Sequence, residues 1–222
     1  MPEQPDLVAL TETLTALIVG KEVTIINGET QRKCHLNSIT VRGKYVLFTF
    51  DTTPYLMAHF GLLGTLIVTN MSTQKSTRLL LHRKNTPMGN DVIHLICGDL
   101  KFGFNYGTGC SFDFVNDPFD VLQFLGPDVG SEQIDTLVAM IQSSKIMNRS
   151  LESVLSDQNL FAGMGKRWRY NIYSTMDIDP KTKLKTLCSD EFYQIFKIAI
   201  SVYNQMKSKA KFELEKSIKT IF

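Results

Sequence analysis

The hydrophobic period changes along this chain of 222 residues, and the change limits what it can build. From about residue 21 to 115 the apolar residues come in short runs, at 23–26, 45–50, 62–69, 79–82, 92–97 and 100–104. Gly, Asn, Asp and Thr separate them, the pattern of antiparallel strands joined by turns. Beyond Leu125-Gly126-Pro127-Asp128 the period becomes helical, with segments near 131–142, 145–156, 166–176 and 189–208. A single helix precedes the strands, because Leu7, Leu10, Leu14, Leu17 and Ile18 recur at helical spacing until Gly20 stops them. The expectation is an α+β protein: an N-terminal helix plus antiparallel β-sandwich over 1–125, an all-helical domain over 126–208, and a basic C-terminal tail over 209–222.

Composition narrows the class. Fourteen Phe, seven Tyr and one Trp supply a core and argue against disorder. No run of 18 apolar residues is present, so no membrane span and no membrane partner are expected. Acids rather than lysines follow Met1, which does not suit a signal peptide. The cysteines (Cys34, Cys97, Cys110, Cys188) are scattered with no C-x-x-C pair, so neither a zinc ribbon nor a disulfide framework is expected. Reduced thiols in an intracellular protein follow, with no metal and no cofactor.

Net charge is only +2, but it is unevenly spread. Residues 1–125 carry ten Lys/Arg against eleven Asp/Glu, whereas 145–185 carry eight against four. That local excess suits a phosphate-facing surface, and equally a solvated helix face. Gly163 and Gly165 flank Met164 just before a helix opening Lys166-Arg167-Trp168-Arg169. Backbone amides at a helix start, with cations beside them, make a phosphate site. Trp168 and Ile172, four apart, are expected to pack that helix onto its neighbours.

The extreme N-terminus offers chemistry. Removal of Met1 would leave Pro2 with a secondary amine able to attack an aldehyde carbon and form an iminium, an electron sink for elimination. Glu3 beside it can shuttle protons. The plain alternative is a frayed terminus. Lys44, after Gly43 at the start of a strand, reads on its own as solvated.

Five collinear pieces resemble the Fpg/Nei (formamidopyrimidine-DNA glycosylase/endonuclease VIII-like) family. They are Met1-Pro2-Glu3-x-Pro5-Asp6; Arg42-Gly43-Lys44-Tyr45; His59-Phe60-Gly61-Leu62-Leu63-Gly64; Leu125-Gly126-Pro127-Asp128; and Leu155-x-Asp157-Gln158 through Ala162-Gly163-Met164-Gly165 to Pro180. The resemblance implies a helical domain containing a helix–two-turn–helix, with DNA bound between the two domains. It implies a base-excision repair DNA glycosylase with AP lyase activity (β/δ-elimination) on oxidised bases, working through an N-terminal proline Schiff base. Its partner would be double-stranded DNA containing oxidised bases or abasic sites, bound by a monomer. Pro2 matches the family's nucleophile, Glu3 the acid/base residue, and Lys44 a phosphate-contacting lysine that supports catalysis. Leu62 falls where a side chain fills the space left by a flipped nucleotide. Gly165, Lys166, Arg167 and Arg169 would face DNA.

Departures from the family pattern open a second reading. Asp6 stands where the family has Glu, and Lys166 where it usually has Asn. The family's Arg/Phe wedge loop aligns with Phe102-Gly103-Phe104-Asn105-Tyr106-Gly107-Thr108-Gly109, which leaves Tyr106 as the substitute wedge. The chain ends soon after the helical segments, where many members continue into a finger that adds a DNA-contacting arginine. The alternative is therefore a catalytically weakened or inactive relative that binds damaged DNA without turnover.

Overall fold

The computed structural model describes residues 2–61, 64–79, 91–105, 107–142 and 146–222. Helix α1 (Gln4–Ile18) buries Leu7, Leu10, Leu14 and Ile18 on one face. Its start is fixed by a capping box in which the Glu3 main-chain N–H donates to Asp6 Oδ2 at 2.9 Å. Its end is the turn at Gly20 (φ +78°), whose N–H donates to the Leu36 carbonyl at 2.8 Å.

The strands among the described residues are β1 (Glu22–Asn27), β2 (Thr30–Arg42), β3 (Tyr45–Phe50), β4 (Tyr55–His59), β5 (Thr65–Asn70), β6 (Lys75–Leu79), β7 (Asp91–Cys97), β8 (Leu100–Asn105) and β9 (Ser111–Val115). All pairs are antiparallel, in the order β6-β5-β8-β7-β1-β2-β3-β4-β9. Strand β2 holds two layers together. Its first half pairs with β1 and its second half with β3, and the register shifts between Leu36 and Ser38. An irregularity of this kind bends a strand, so one strand can turn the corner between two sheets. The inner faces meet through aromatic rings: Phe48 on β3 lies 5.5 Å from Phe104 on β8, and Phe104 lies 5.4 Å from Phe112 on β9.

Three strands depart from the sequence expectation. The text of β2 is mostly polar, because only Cys34, Leu36 and Ile39 are buried along it and its other side chains face outward or sit at the edge of the layer. Strands β4 and β9, five residues each, have no counterpart among the expected runs. The run expected at 79–82 lies mostly outside the described residues.

A short helix α2 (Phe119–Leu122) leads into the helical part: α3 (Ile134–Gln142), α4 (Leu151–Leu155), α5 (Lys166–Met176) and α6 (Ser189–Lys219). A second buried cluster forms here from Leu137, Ile141, Leu155, Trp168, Ile172 and Phe196, among others. Trp168 is fully buried and its indole N–H donates to the Ala199 carbonyl at 2.8 Å, so Trp168 and Ile172 pack as expected.

The stretch expected as a basic tail is something else. Residues 209–219 continue α6, which runs 31 residues, about 46 Å at helical rise. Its first half contributes Phe192, Ile195, Phe196 and Ala199 to the second cluster. Its last turns place Leu214 and Ile218, followed by Ile221, in the sandwich core. The lysines that suggested a tail are the outer face of this helix, and Lys211 pairs with Glu12 of α1 at 3.1 Å, as does Lys207 one turn earlier at 2.6 Å. A single helix thus packs into both cores. Among the described residues no helix is long and apolar enough to cross a membrane.

Truncating Leu214 or Ile218 to Ala is expected to lower unfolding free energy by about 2–4 kcal/mol, the range for emptying a buried aliphatic site. Lys216→Ala on the same turns is expected to change it by less than about 0.5 kcal/mol. Urea denaturation followed by circular dichroism measures both. A tail without structure would show no difference between them.

Candidate active site where the N-terminus meets helix α5

Pro2 is buried, and Glu3 is only 3% exposed. A buried carboxylate requires partners. Glu3 finds them on α5: Oε1 accepts the Arg167 N–H at 2.7 Å and Oε2 accepts the Trp168 N–H at 2.9 Å. The residue at the start of α5 is Gly165, which has no side chain to cap the helix. Glu3, 164 positions away from Arg167, does so instead. Asp6 doubles the link, since Arg167 Nη2 donates to both its oxygens at 2.8 and 2.7 Å.

This geometry explains the Gly-Met-Gly turn. A Cβ on Gly165 would lie 2.2 Å from Glu3 Cδ, and one on Gly163 (φ +82°) would lie 2.6 Å from Gln4 Cβ. The two glycines let the chain's first residues approach the turn. Gln158 fixes the turn from below: its Oε1 accepts the Gly163 N–H at 3.0 Å and its Nε2 donates to the Met164 carbonyl at 3.2 Å. The phosphate-site expectation is corrected accordingly. The helix start does hold an anion, as its dipole favours, but the amides of Arg167 and Trp168 already hold the chain's own Glu3.

Lys44 reaches the same place from the sandwich. It sits in the turn joining β2 to β3, after Gly43 (φ +58°). A Cβ on Gly43 would lie 3.1 Å from Leu125 Cδ1, 3.3 Å from Ala162 Cβ and 3.6 Å from the Gly163 nitrogen, so this turn abuts the Gly-Met-Gly turn. Burial lowers the Lys44 amine below the usual lysine range; the Glu3 carboxylate opposes that and the Arg169 guanidinium reinforces it. Burial likewise raises the Glu3 carboxyl, against the two α5 N–H groups and the Arg167 charge, with Asp6 adding to the rise. His59, at the end of β4, joins this group. Its Nδ1 lies 3.1 Å from the Gly109 carbonyl and its ring centroid 5.0 Å from that of Tyr45. Burial lowers its pKa, the Gly109 carbonyl opposes, and the charge of Lys44 lowers it further. An acid, an amine and an imidazole are therefore all drawn toward their neutral forms in one partly desolvated place. That is the condition for proton transfer near neutral pH.

The remaining expected residues divide. Lys166 is exposed, and its side chain makes no hydrogen bond or ion pair with the described residues, although its charge acts on Glu152. Arg167 is held by Asp6. Arg169, expected at DNA, points inward instead. Its side chain is 11% exposed, Nη2 pairs with Glu152 at 3.1 Å, and Nη1 donates to the Met164 carbonyl at 3.1 Å. Tyr173 completes that cluster by donating its hydroxyl to Glu152 at 2.6 Å. A buried guanidinium needs such acceptors, so Arg169 braces the turn from within. Leu62 and Tyr106 lie outside the described residues. Sequence reasoning assigned no site role to His59, Asp128 or Gln158, although each stands in a motif; the motifs themselves were the available signal.

Because the Glu3 carboxyl is raised from its ordinary 4.5, the folded chain holds a proton there that the unfolded chain has released. The stability this group contributes is full below the unfolded value and is lost as pH rises through the raised one. Glu3→Gln removes the titration. Urea unfolding from about pH 4 to about pH 8 is expected to show the variant gaining on wild type, by at most about 1.4 kcal/mol per pH unit. Parallel curves would mean that the carboxyl titrates as an ordinary one.

Comparison with known proteins follows the same lines. Residues 1–93 match the family model of the formamidopyrimidine-DNA glycosylase N-terminal domain. The chain is similar to formamidopyrimidine-DNA glycosylase of Legionella pneumophila strain Philadelphia 1, 23% identical over 211 residues, covering 86% of this chain and 72% of that protein. It is similar to the protein of that name from Carboxydothermus hydrogenoformans, 25% identical over 222 residues, covering 89% and 74%. It is also similar to endonuclease 8 of Escherichia coli strain 55989, 25% identical over 198 residues, covering 84% and 72%. Lactococcus lactis Fpg, non-covalently bound to DNA containing an AP site, shares the fold with a TM-score of 0.74 at 15% identity, over 94% of this chain and 81% of that one. MutM (Fpg) of Thermus thermophilus does so with a TM-score of 0.72 at 18% identity, over 93% and 76%. The opening motif, the strand order and the glycine turn thus stand in an arrangement whose N-terminal part matches the family model and whose fold is shared with these Fpg structures.

Proposed function

We propose that this protein is a base-excision repair DNA glycosylase and AP lyase that acts on oxidised bases in duplex DNA through Pro2. The observation that carries the reading is Glu3: a buried carboxyl with a raised pKa, adjoining Pro2 and sharing its surroundings with Lys44. With Met1 removed, the Pro2 nitrogen attacks the sugar C1′ and the bond from C1′ to the base breaks, the base leaving with a proton. Protonation of the ring oxygen opens the sugar and gives the C1′ iminium, and Glu3 is the acid positioned beside Pro2 for that transfer. The iminium acidifies C2′. Loss of a C2′ proton then expels the 3′ phosphate, and water hydrolyses the imine to return the Pro2 amine. Lys44 lends positive charge to the flanking phosphate. The reading assigns Leu62 to filling the vacated stack and Tyr106 to the opposite strand.

Borohydride trapping on an AP-site duplex, with mass spectrometry of the intact N-terminus, tests the mechanism. Wild type lacking Met1 is expected to form a covalent adduct. Glu3→Gln is expected to slow adduct formation by about 10²–10⁴-fold, and chains retaining Met1 are expected to form none. No adduct from wild type without Met1, under conditions that trap a control lyase, overturns the mechanism. The second reading, binding without turnover, is favoured by the engagement of Glu3 as a helix cap and of Arg169 as an internal brace. It predicts salt-sensitive binding with no adduct.

Lys166 is an exposed cation at the start of α5, and the reading gives it a phosphate. Lys166→Ala is expected to reduce the slope of log affinity against log salt by about 1 and to weaken binding to every duplex alike. Titrations at several salt concentrations measure this, and an unchanged slope removes Lys166 from the interface.

A further inference from the structure

We propose that Asp128 is a positioning residue for Lys44, a strut that holds the β2–β3 turn against the Gly-Met-Gly turn. The inference rests on the proposed role of Lys44 and deepens it. Asp128 is buried. Its Oδ1 accepts the Gly43 N–H at 2.9 Å, and its Oδ2 pairs with Arg42 Nη1 at 3.0 Å. A single carboxylate thus grips the two residues before Lys44. Arg42 is further fixed by Nη2, which donates to the Leu125 carbonyl at 3.0 Å.

The other side of the strut is anchored in the helical part. The main chain of Asp128 forms a parallel bridge with Ala162, and the Ala162 N–H donates to the Pro127 carbonyl at 3.0 Å. Ala162 precedes Gly163, whose carbonyl accepts the Gln4 N–H at 3.3 Å, next to Glu3. The path from Asp128 to Lys44 and the path from Asp128 to Glu3 are therefore each short and hydrogen-bonded. The Asp128 carboxylate is the link that reaches the main chain of the Gly43 turn, beside the Arg42–Leu125 hydrogen bond made by a side chain. Without it, Lys44 would keep its strand but lose its fixed approach to Glu3, and misplacement by about 1 Å is enough to cost up to about 100-fold in rate.

The experiment uses the full chain with two readouts. First, single-turnover trapping on an AP-site duplex is compared for wild type, Asp128→Ala, Lys44→Ala and the double variant. Asp128→Ala is expected to lose about 10-fold or more in rate at saturating DNA with little change in affinity. It is expected to add no further loss on the Lys44→Ala background. Additive losses, or a folded Asp128→Ala that traps at the wild-type rate, overturn the proposal. Second, the Lys44 amine is titrated by NMR without DNA, which needs no activity. Asp128→Ala is expected to return Lys44 toward an ordinary lysine, and an unchanged titration in the folded variant overturns the strut. If Asp128→Ala does not fold, Arg42→Gln, whose side chain is 36% exposed, tests the link from its other end. A smaller shift in the same direction is expected, and none overturns it. A wild type that never traps but shows the Lys44 shift defeats the catalytic reading and leaves the strut standing.

Discussion

The structure depends on one carboxylate placed at a helix start that lacks its own cap. Glu3 gives its two oxygens to the Arg167 and Trp168 amides, and through them the first residues of the chain are fixed to α5. The arrangement answers two needs together. Helix α5 has amides that nothing local can satisfy, and a buried carboxylate has charge that only oriented donors can stabilise. It also imposes a steric condition on the facing turn, where only glycine fits at 163 and 165. The adjoining Pro2 is held in a buried position as a result.

The surroundings are tuned by the same burial. Lys44 and His59 are lowered and Glu3 is raised, each chiefly because charge is disfavoured there. Arg167 and Arg169 are engaged by Asp6 and Glu152. The site thus separates cations that brace it from groups whose protons are labile. That separation needs the sandwich and the helical part to keep their positions. Helix α6 serves this by packing into both cores, and Asp128 by tying the Gly43 turn across the junction.

Much of the fold was legible because burial writes a period into the text. Helix α1 shows Leu7, Leu10 and Leu14 on one face, α5 was located to the residue, β3 appears as a nearly continuous apolar run, and β8 carries Leu100, Phe102 and Phe104 in alternation. Strand β2 was not legible, since it turns from one sheet to the other with few buried residues. The end of α6 was not legible either. It meets a different core from its beginning, so its buried residues thin to Leu214 and Ile218 among lysines.

At the site, the sequence by itself determined which chemical groups exist and roughly where along the chain they fall: Pro2 next to Glu3, Lys44 after a glycine, two glycines before a basic helix. Their order reflects local turn and cap chemistry, which neighbours in sequence set. Tertiary structure alone decided what each group does with its charge. It turned Arg169 inward, left Lys166 outward, and gave the α5 amides to Glu3. The reason is that desolvation and hydrogen-bond partners come from other segments, 164 residues away for Glu3 and Arg167 and 17 for Glu152 and Arg169, and no local pattern records which of them will meet.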